Sequence, residues 1–250
     1  MKYWIFKNGA RLSLAGMMAF GLIFGISSCK KEDTPSSGSG SSNLRMHLTD
    51  APGNFQQVNV DIREINIHTD ANGWQSLALL NPGVYNLLDF RNGLDTLLTS
   101  SSVPSGRVSQ VRLVLGSNNS VMVDSIVYPL QTPSAEQSGL KLNVQENFLP
   151  GITYDLWIDF DAGKSIVLTG NGTYILKPVI RVFNKATTGA IKADNEPDTA
   201  ANLVRAISGI DTATAIPDSL GMWLIGGLNP GSYTLEYLSN GSIIKTSFGI

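Results

Sequence analysis

Side chains able to do acid–base or nucleophilic chemistry are few. Histidine occurs twice, at His47 and His68, and neither falls in an H-E-x-x-H pair or another catalytic spacing. The chain carries no G-x-S-x-G elbow, P-loop or dinucleotide fingerprint, so hydrolysis, phosphoryl transfer and hydride transfer have no signature here. The remaining chemistry is acidic. Asp155, Asp159 and Asp161 recur at alternate positions around Trp157. On a strand, alternate side chains share a face, and carboxylate oxygens are what Ca²⁺ takes. Such neighbours stand about 7 Å apart along a strand, so one strand does not bring them to one ion. A bend at Ala162-Gly163 and a carboxylate from another element, with Asp50 the candidate, would complete a metal set of Asp50, Asp155, Asp159 and Asp161. The competing reading is an acidic, solvated face, with no cofactor at all. Trp157 points the same way as these acids. An outward Trp either packs beneath a loop or a second domain, or stacks on a ligand, which makes Trp157 the candidate ligand-binding residue.

These residues are held by strands. Leu44–Thr49 is a short strand candidate, and Val58, Val60 and Ile62 alternate before Ile65 and Ile67 resume on the opposite parity. A period-two pattern that slips by one residue predicts a bulge near Arg63-Glu64. Asn72-Gly73 signals a hairpin. Strands are further expected at Trp74–Leu79, Val84–Leu88 and Arg107–Leu115, and Leu94–Leu98 reads as one helical turn. Val121–Val123 and Ile126–Leu130 form a hairpin pair. Leu140, Leu142 and Val144 alternate, as do Tyr154, Leu156, Ile158 and Phe160, and Tyr174–Phe183 closes the series. Short strands between Gly, Pro and Asn turns predict an all-β protein of antiparallel sandwiches. Charged residues are 15% of the chain, well below the usual quarter, which argues against long solvated helices, coiled coils and basic nucleic-acid binders.

The first residues form an address. Lys2, Lys7 and Arg11 precede the 15-residue apolar run Leu12–Ile26, which is short for a permanent span and right for a signal peptide. Ile26-Ser27-Ser28-Cys29 resembles the lipobox of bacterial lipoproteins, which implies cleavage before Cys29 and acylation of that residue. Several acyl chains anchor stably where one does not. Lys30-Lys31-Glu32-Asp33 is similar to the charged export tag of Bacteroidetes surface lipoproteins. Thr34–Ser42 is a Ser/Gly-rich tether. Cys29 is the sole cysteine, so no intrachain disulfide supports the fold.

Five ordered motifs carry a further resemblance: Leu48-Thr49-Asp50-Ala51-Pro52-Gly53, Val111–Asn118, Ser138–Leu142, Asp159-Phe160-Asp161-Ala162 and Leu176–Val182. Together they resemble domain-of-unknown-function family 4382 over residues 44–184. That resemblance implies a β-sandwich on an exported protein and brings no reaction. Asn184–Asp198 reads as a polar linker. Gly221–Leu235, with Trp223, Ile225, Pro230-Gly231 and Tyr233, resembles the core of carboxypeptidase-regulatory-like domains, which are small transthyretin-like sandwiches. Its usual last strand is expected to be missing or very short. The expected organisation is therefore a signal peptide over 1–28, an acylated Cys and tether over 29–43, and two tandem sandwiches over 44–184 and 185–250. Five Asp-Ser/Thr-aliphatic or -Ala triplets resemble the O-glycosylation sites of exported Bacteroidetes proteins, with Thr96, Ser125, Thr199, Thr212 and Ser219 as acceptors. Turn chemistry is the alternative explanation.

The functional expectation is a non-catalytic lipoprotein of the outer membrane, on its periplasmic side or at the cell surface. Its partners would be the membrane, through the lipid, and a glycan or another envelope component, with no nucleic acid. The alternative is a structural spacer or protein–protein adaptor. A hydrolase would need His47 or His68 beside a Ser or an acid in a cleft.

Overall fold

Leu44, Met46 and Leu48 alternate with more polar neighbours, and all three are fully buried. The same period runs through most of the chain and makes it almost entirely strand. The computed structural model describes residues 40–51, 53–132, 138–193 and 200–247. The first part holds β1 (Ser41–Ala51), β2 (Gln57–Thr69), β3 (Gly73–Leu77), β4 (Gly83–Asn86), β5 (Thr96–Pro104) and β6 (Gly106–Leu115). It continues with β7 (Ser120–Val123), β8 (Ile126–Gln131), β9 (Leu140–Phe148) and β10 (Thr153–Asp161). After the short helix α1 (Ala162–Ser165) come β11 (Ile166–Leu168), β12 (Tyr174–Leu176) and β13 (Ile180–Asn184). Two sheets result. One has the order β13-β10-β1-β5; the other runs β11-β12-β8-β7-β2-β6-β9, with β3 and β4 also paired to β2.

The inner faces of these sheets share one core. Leu44, Met46, Leu48, Leu156, Ile158 and Phe160 meet Val58, Val60, Ile62, Ile65, Ile67, Val111 and Leu113 across it. Each such side chain fully removed from water contributes roughly 1.5–3 kcal/mol. The bulge in β2 is present, as a register shift between Ile62 and Glu64 against β6. It lets Ile62 and Ile65 both face inward despite their odd spacing.

The second sandwich holds β14 (Gly189–Lys192), β15 (Leu203–Ser208), β16 (Asp211–Ala215), β17 (Leu224–Leu228), β18 (Thr234–Ser239) and β19 (Ser242–Ser247). A two-stranded sheet, β14-β17, lies against a four-stranded one, β16-β15-β18-β19. Val204, Ala206, Ala215, Trp223, Ile225 and Leu235 fill its small core. All the described residues belong to a single compact unit, Pro35–Ile250.

Four local expectations are corrected. Leu94–Leu98 is not helical: β5 begins at Thr96, because Leu98 is needed in the core. The one-turn element is instead a 3₁₀ turn at Leu87–Phe90, which buries Leu87 and Leu88. Tyr174–Phe183 is two strands, since Pro178 has no N–H to donate to a ladder, and β12 and β13 go to different sheets. The stretch read as a linker contains β14, whose Ile191 packs on the second core. The sandwich is also not wholly antiparallel. β1 pairs β10 in parallel, as β12 pairs β8. The two strands of a parallel pair need a long crossover, and between β1 and β10 the chain builds nearly all of the larger sheet.

Candidate functional site

The outer face of the four-stranded sheet is set by two registers. The parallel pairing puts Arg45 beside Asp155, His47 beside Trp157 and Thr49 beside Asp159. The antiparallel β13 adds Phe183 beside Trp157 and Arg181 beside Asp159. Rings and charges therefore stack in rows. His47 lies 4.4 Å from Trp157 and nearly parallel to it, and Phe183 stacks at 6.2 Å. Asp95, just before β5, ties the row together. It accepts from Trp157 Nε1 at 3.0 Å, lies 2.7 Å from His47 Nδ1, and is 3.4 Å from Lys185 Nζ. Lys185 in turn sits 4.1 Å over the Trp157 ring. Partial burial pushes the Asp95 carboxyl up, but the bonds from Trp157 and His47 and the Lys185 charge outweigh it, leaving it below the ordinary value. Arg45 donates to Asp155 at 2.6 and 2.5 Å, and that fork holds Asp155 low as well. His47 therefore meets carboxylates, Asp95 and, at 3.5 Å, Asp155.

The four candidate metal ligands take different partners. Asp155 faces Arg45. Asp159, almost wholly buried, pairs with Arg181, and its pKa is raised because burial outweighs that cation. Asp161 accepts from the Lys164 backbone at 2.9 Å, capping α1, and pairs with Lys164 Nζ at 2.9 Å. Asp50 is buried at the end of β1. Its Oδ1 accepts from Ala162 N at 3.1 Å, and its Oδ2 is buried without a hydrogen-bond partner. Burial drives the Asp50 pKa well above the ordinary value; the Ala162 bond opposes this, and the charges of Asp159 and Asp161 add to it. Among the described residues no three His, Cys, Asp or Glu side chains converge as a metal site.

The second sandwich covers this face. Arg181 donates to Gly226 O at 3.4 Å, and Lys164 Nζ to Thr212 O at 3.3 Å. Gly227, at φ +67°, lies against the Phe183 ring, where a Cβ would come within 2.5 Å. Trp157 is left 8% exposed: it packs under its neighbours. Beside Phe183 the two sandwiches leave a cleft of about 350 Å³. Arg181, Asn184, Thr188, Asp211, Asn229 and Tyr233 are among the side chains lining it.

The other candidates are dispersed. His68 Nδ1 lies 2.9 Å from Ser109 Oγ on the outer face of the larger sheet. Thr96 is half-buried at the start of β5, while Ser125, Thr212 and Ser219 are exposed. Turn chemistry is visible at two of these triplets. Asp124 and Ser125 both have positive φ, 49° and 63°, as a type I′ hairpin turn requires. Asp218 accepts from the backbones of Leu220 and Met222 at 2.8 and 2.9 Å. Cys29 and Thr199 lie outside the described residues. Sequence reading did not single out Arg181 or Lys185, and gave Asp95 no role at this face. Their partners are distant in the chain, and only strand register brings them together.

A search of curated proteins finds no match. Among solved structures, a leucine-rich repeat protein from Bacteroides thetaiotaomicron VPI-5482 is similar at 10% identity and a TM-score of 0.21. The match covers 84% of this chain and 25% of that one, so this chain spans about a quarter of that protein's length. The profile of the domain of unknown function DUF4382 matches residues 41–178. That match takes in every strand from β1 to β12, and the chain belongs to the DUF4382 family.

Proposed function

We propose that this protein is a non-catalytic, lipid-anchored module of the outer membrane that binds a glycan or another envelope component in the cleft between its sandwiches. The lipobox at Cys29 and the tether behind it support the anchoring, and the resemblance of Gly221–Leu235 to carboxypeptidase-regulatory-like domains supports a binding role for the pair. The observation that carries the reading is the cleft itself. Its volume, about 350 Å³, falls at the lower end of ligand pockets, roughly 300–1,000 Å³. Its walls mix amides, hydroxyls, the Glu146 and Asp211 carboxylates and one guanidinium with the Tyr233 ring, polar partners for sugar hydroxyls beside a ring for the apolar face of a pyranose. A glycan-array screen of the full-length protein in detergent tests this. Retention of a defined glycan, lost in Tyr233→Ala, is expected; no retention, or retention indifferent to that substitution, refutes it. The exposed Asp-Ser/Thr triplets are proposed glycan acceptors in turn, and an unmodified intact mass of the native protein removes that proposal.

One observation favours the alternative, a spacer or adaptor. β19 is an edge strand with Ile243 and Ile244 52% and 46% exposed, and open apolar edges invite pairing. Cross-linking of intact cells that traps a partner through residues 242–247, with no glycan retained, would select this reading.

A further inference from the structure

The outer face of the larger sheet carries an unusual juxtaposition. Val111 and Leu113 point into the core, so Arg112 points out. On the neighbouring strand, Leu140 and Leu142 pack on the core and Lys141 is exposed. The register places Arg112 directly opposite Lys141. Like charges at directly opposed positions destabilise a sheet, yet among the described residues no carboxylate pairs with either one. Arg112 is also held in place. Its stem lies against Gly139, where a Cβ would come within 2.7 Å of Cγ, and its guanidinium lies 3.9 Å over the ring of Trp74. Its Nε is buried and without a hydrogen-bond partner. Trp74 is itself braced by His68, edge-on at 5.1 Å. The result is a preorganised planar fork of donors beside a second cation, which suits a carboxylate held bidentately.

The surroundings narrow the ligand. Gln110 and Asn143 pair across the same two strands at 3.2 Å, and Asn66 lies opposite Arg112 on the other side. Amides around a charged fork suit hydroxyl groups flanking a carboxylate. Lys141 and Asn143 are exposed on this face and Asn66, Gln110, Arg112 and Trp74 half-buried, and strands β3, β2, β6 and β9 lie side by side across roughly 14 Å, a width that accommodates consecutive rings of a chain. We propose that this face, separate from the cleft, binds an acidic polysaccharide through the carboxylates of its sugar rings, with Arg112 and Lys141 as the anion-binding pair and Trp74 as a positioning residue.

Affinity electrophoresis of the full-length protein in detergent tests it, with gels containing polygalacturonate, neutral dextran or single-stranded DNA. Polygalacturonate alone should retard the protein, and less so as salt rises. Lys141→Glu, at an exposed position that tolerates substitution, should weaken binding about tenfold or more. Arg112→Lys keeps the charge and loses the fork, so it should weaken binding while the melting temperature stays close to wild type. Three results would overturn the proposal: no retardation by polygalacturonate, equal retardation by dextran or DNA, or retardation indifferent to both substitutions.

Discussion

At the scale of single residues, Asp50 has the clearest consequence. Its folded pKa is raised, chiefly by burial. Below the unfolded value, about 4, both states hold the proton and burial carries no electrostatic penalty. Above it, the unfolded chain gives up its proton first, so stability falls as the pH rises toward the folded value. Asp159 acts in the same direction. Asp95 and Asp155 act oppositely: their lowered values give stability that is present above the ordinary range and lost as acid protonates them in the folded state. Asp50→Asn should therefore raise the melting temperature at about pH 8 and lose most of that gain by about pH 4. Melts at the two pH values check this, and an equal gain at both would show that charge is not the cause. Gly116 is a steric case. Its N–H donates to Asp61 O at 2.6 Å, and a Cβ there would collide with the Asp61 carboxylate and lie 2.8 Å from Arg63 Nε. Asp61 is fully buried and paired with Arg63 at 2.7 Å. Gly116→Ala should cost about 1–3 kcal/mol by overpacking, measured by urea denaturation. A neutral result would mean that the loop yields without disturbing the ion pair.

At the scale of elements, β10 shows how register decides chemistry. Its alternation puts three carboxylates and Trp157 on one face, as the sequence pattern predicts. Which groups Asp155 and Asp159 meet is set by β1 on one side and β13 on the other, which bring Arg45 and Arg181, while Asp161 meets Lys164 of α1. Ca²⁺ asks for six to eight oxygens around one point, whereas Asp155, Asp159 and Asp161 each turn to a different Arg or Lys. Excess Ca²⁺ or EDTA should leave the melting temperature unchanged. A rise with Ca²⁺ that Asp159→Asn abolishes would instead reveal a metal site that forms only when those ion pairs open. The β2 bulge and the β7–β8 hairpin were legible because each is a local pattern, a parity slip or a pair of turn residues. The β12–β13 break was missed, since Tyr174–Phe183 reads as one strand; Pro178 was the local signal for it, but the divergence of the two strands into separate sheets depends on distant partners.

At the scale of the whole molecule, the second sandwich stabilises the first by covering Trp157 and Phe183. A fragment of residues 40–184 has its own core and should melt cooperatively, at a lower temperature than the full chain. Residues 185–250 alone should give no cooperative melt, because a core this small and without a disulfide is marginal. Thermal melts of both pieces check this, and a cooperative transition in only the C-terminal piece would reverse the assignment. Cys29→Ser should abolish membrane attachment, since the lipobox is the proposed anchor. Detergent-phase partitioning of the variant measures it, and continued entry into the detergent phase would remove the lipoprotein reading.

The sequence by itself determined the all-β class, the inward faces of β1, β2, β6 and β10, and the motifs of the DUF4382 family. Those properties follow from alternation and turn residues, which act over a few positions. Only the tertiary structure decided that Trp157 is covered, that Asp50 is buried with an unpartnered oxygen, and that Arg112 stands opposite Lys141. Each of those depends on which strand lies beside which, and in what register. The parallel β1–β10 pair makes the point most sharply, since it joins Arg45 to Asp155 across 110 positions of chain. No local pattern specifies that pairing. It is fixed by the burial of both strands' apolar faces in one core.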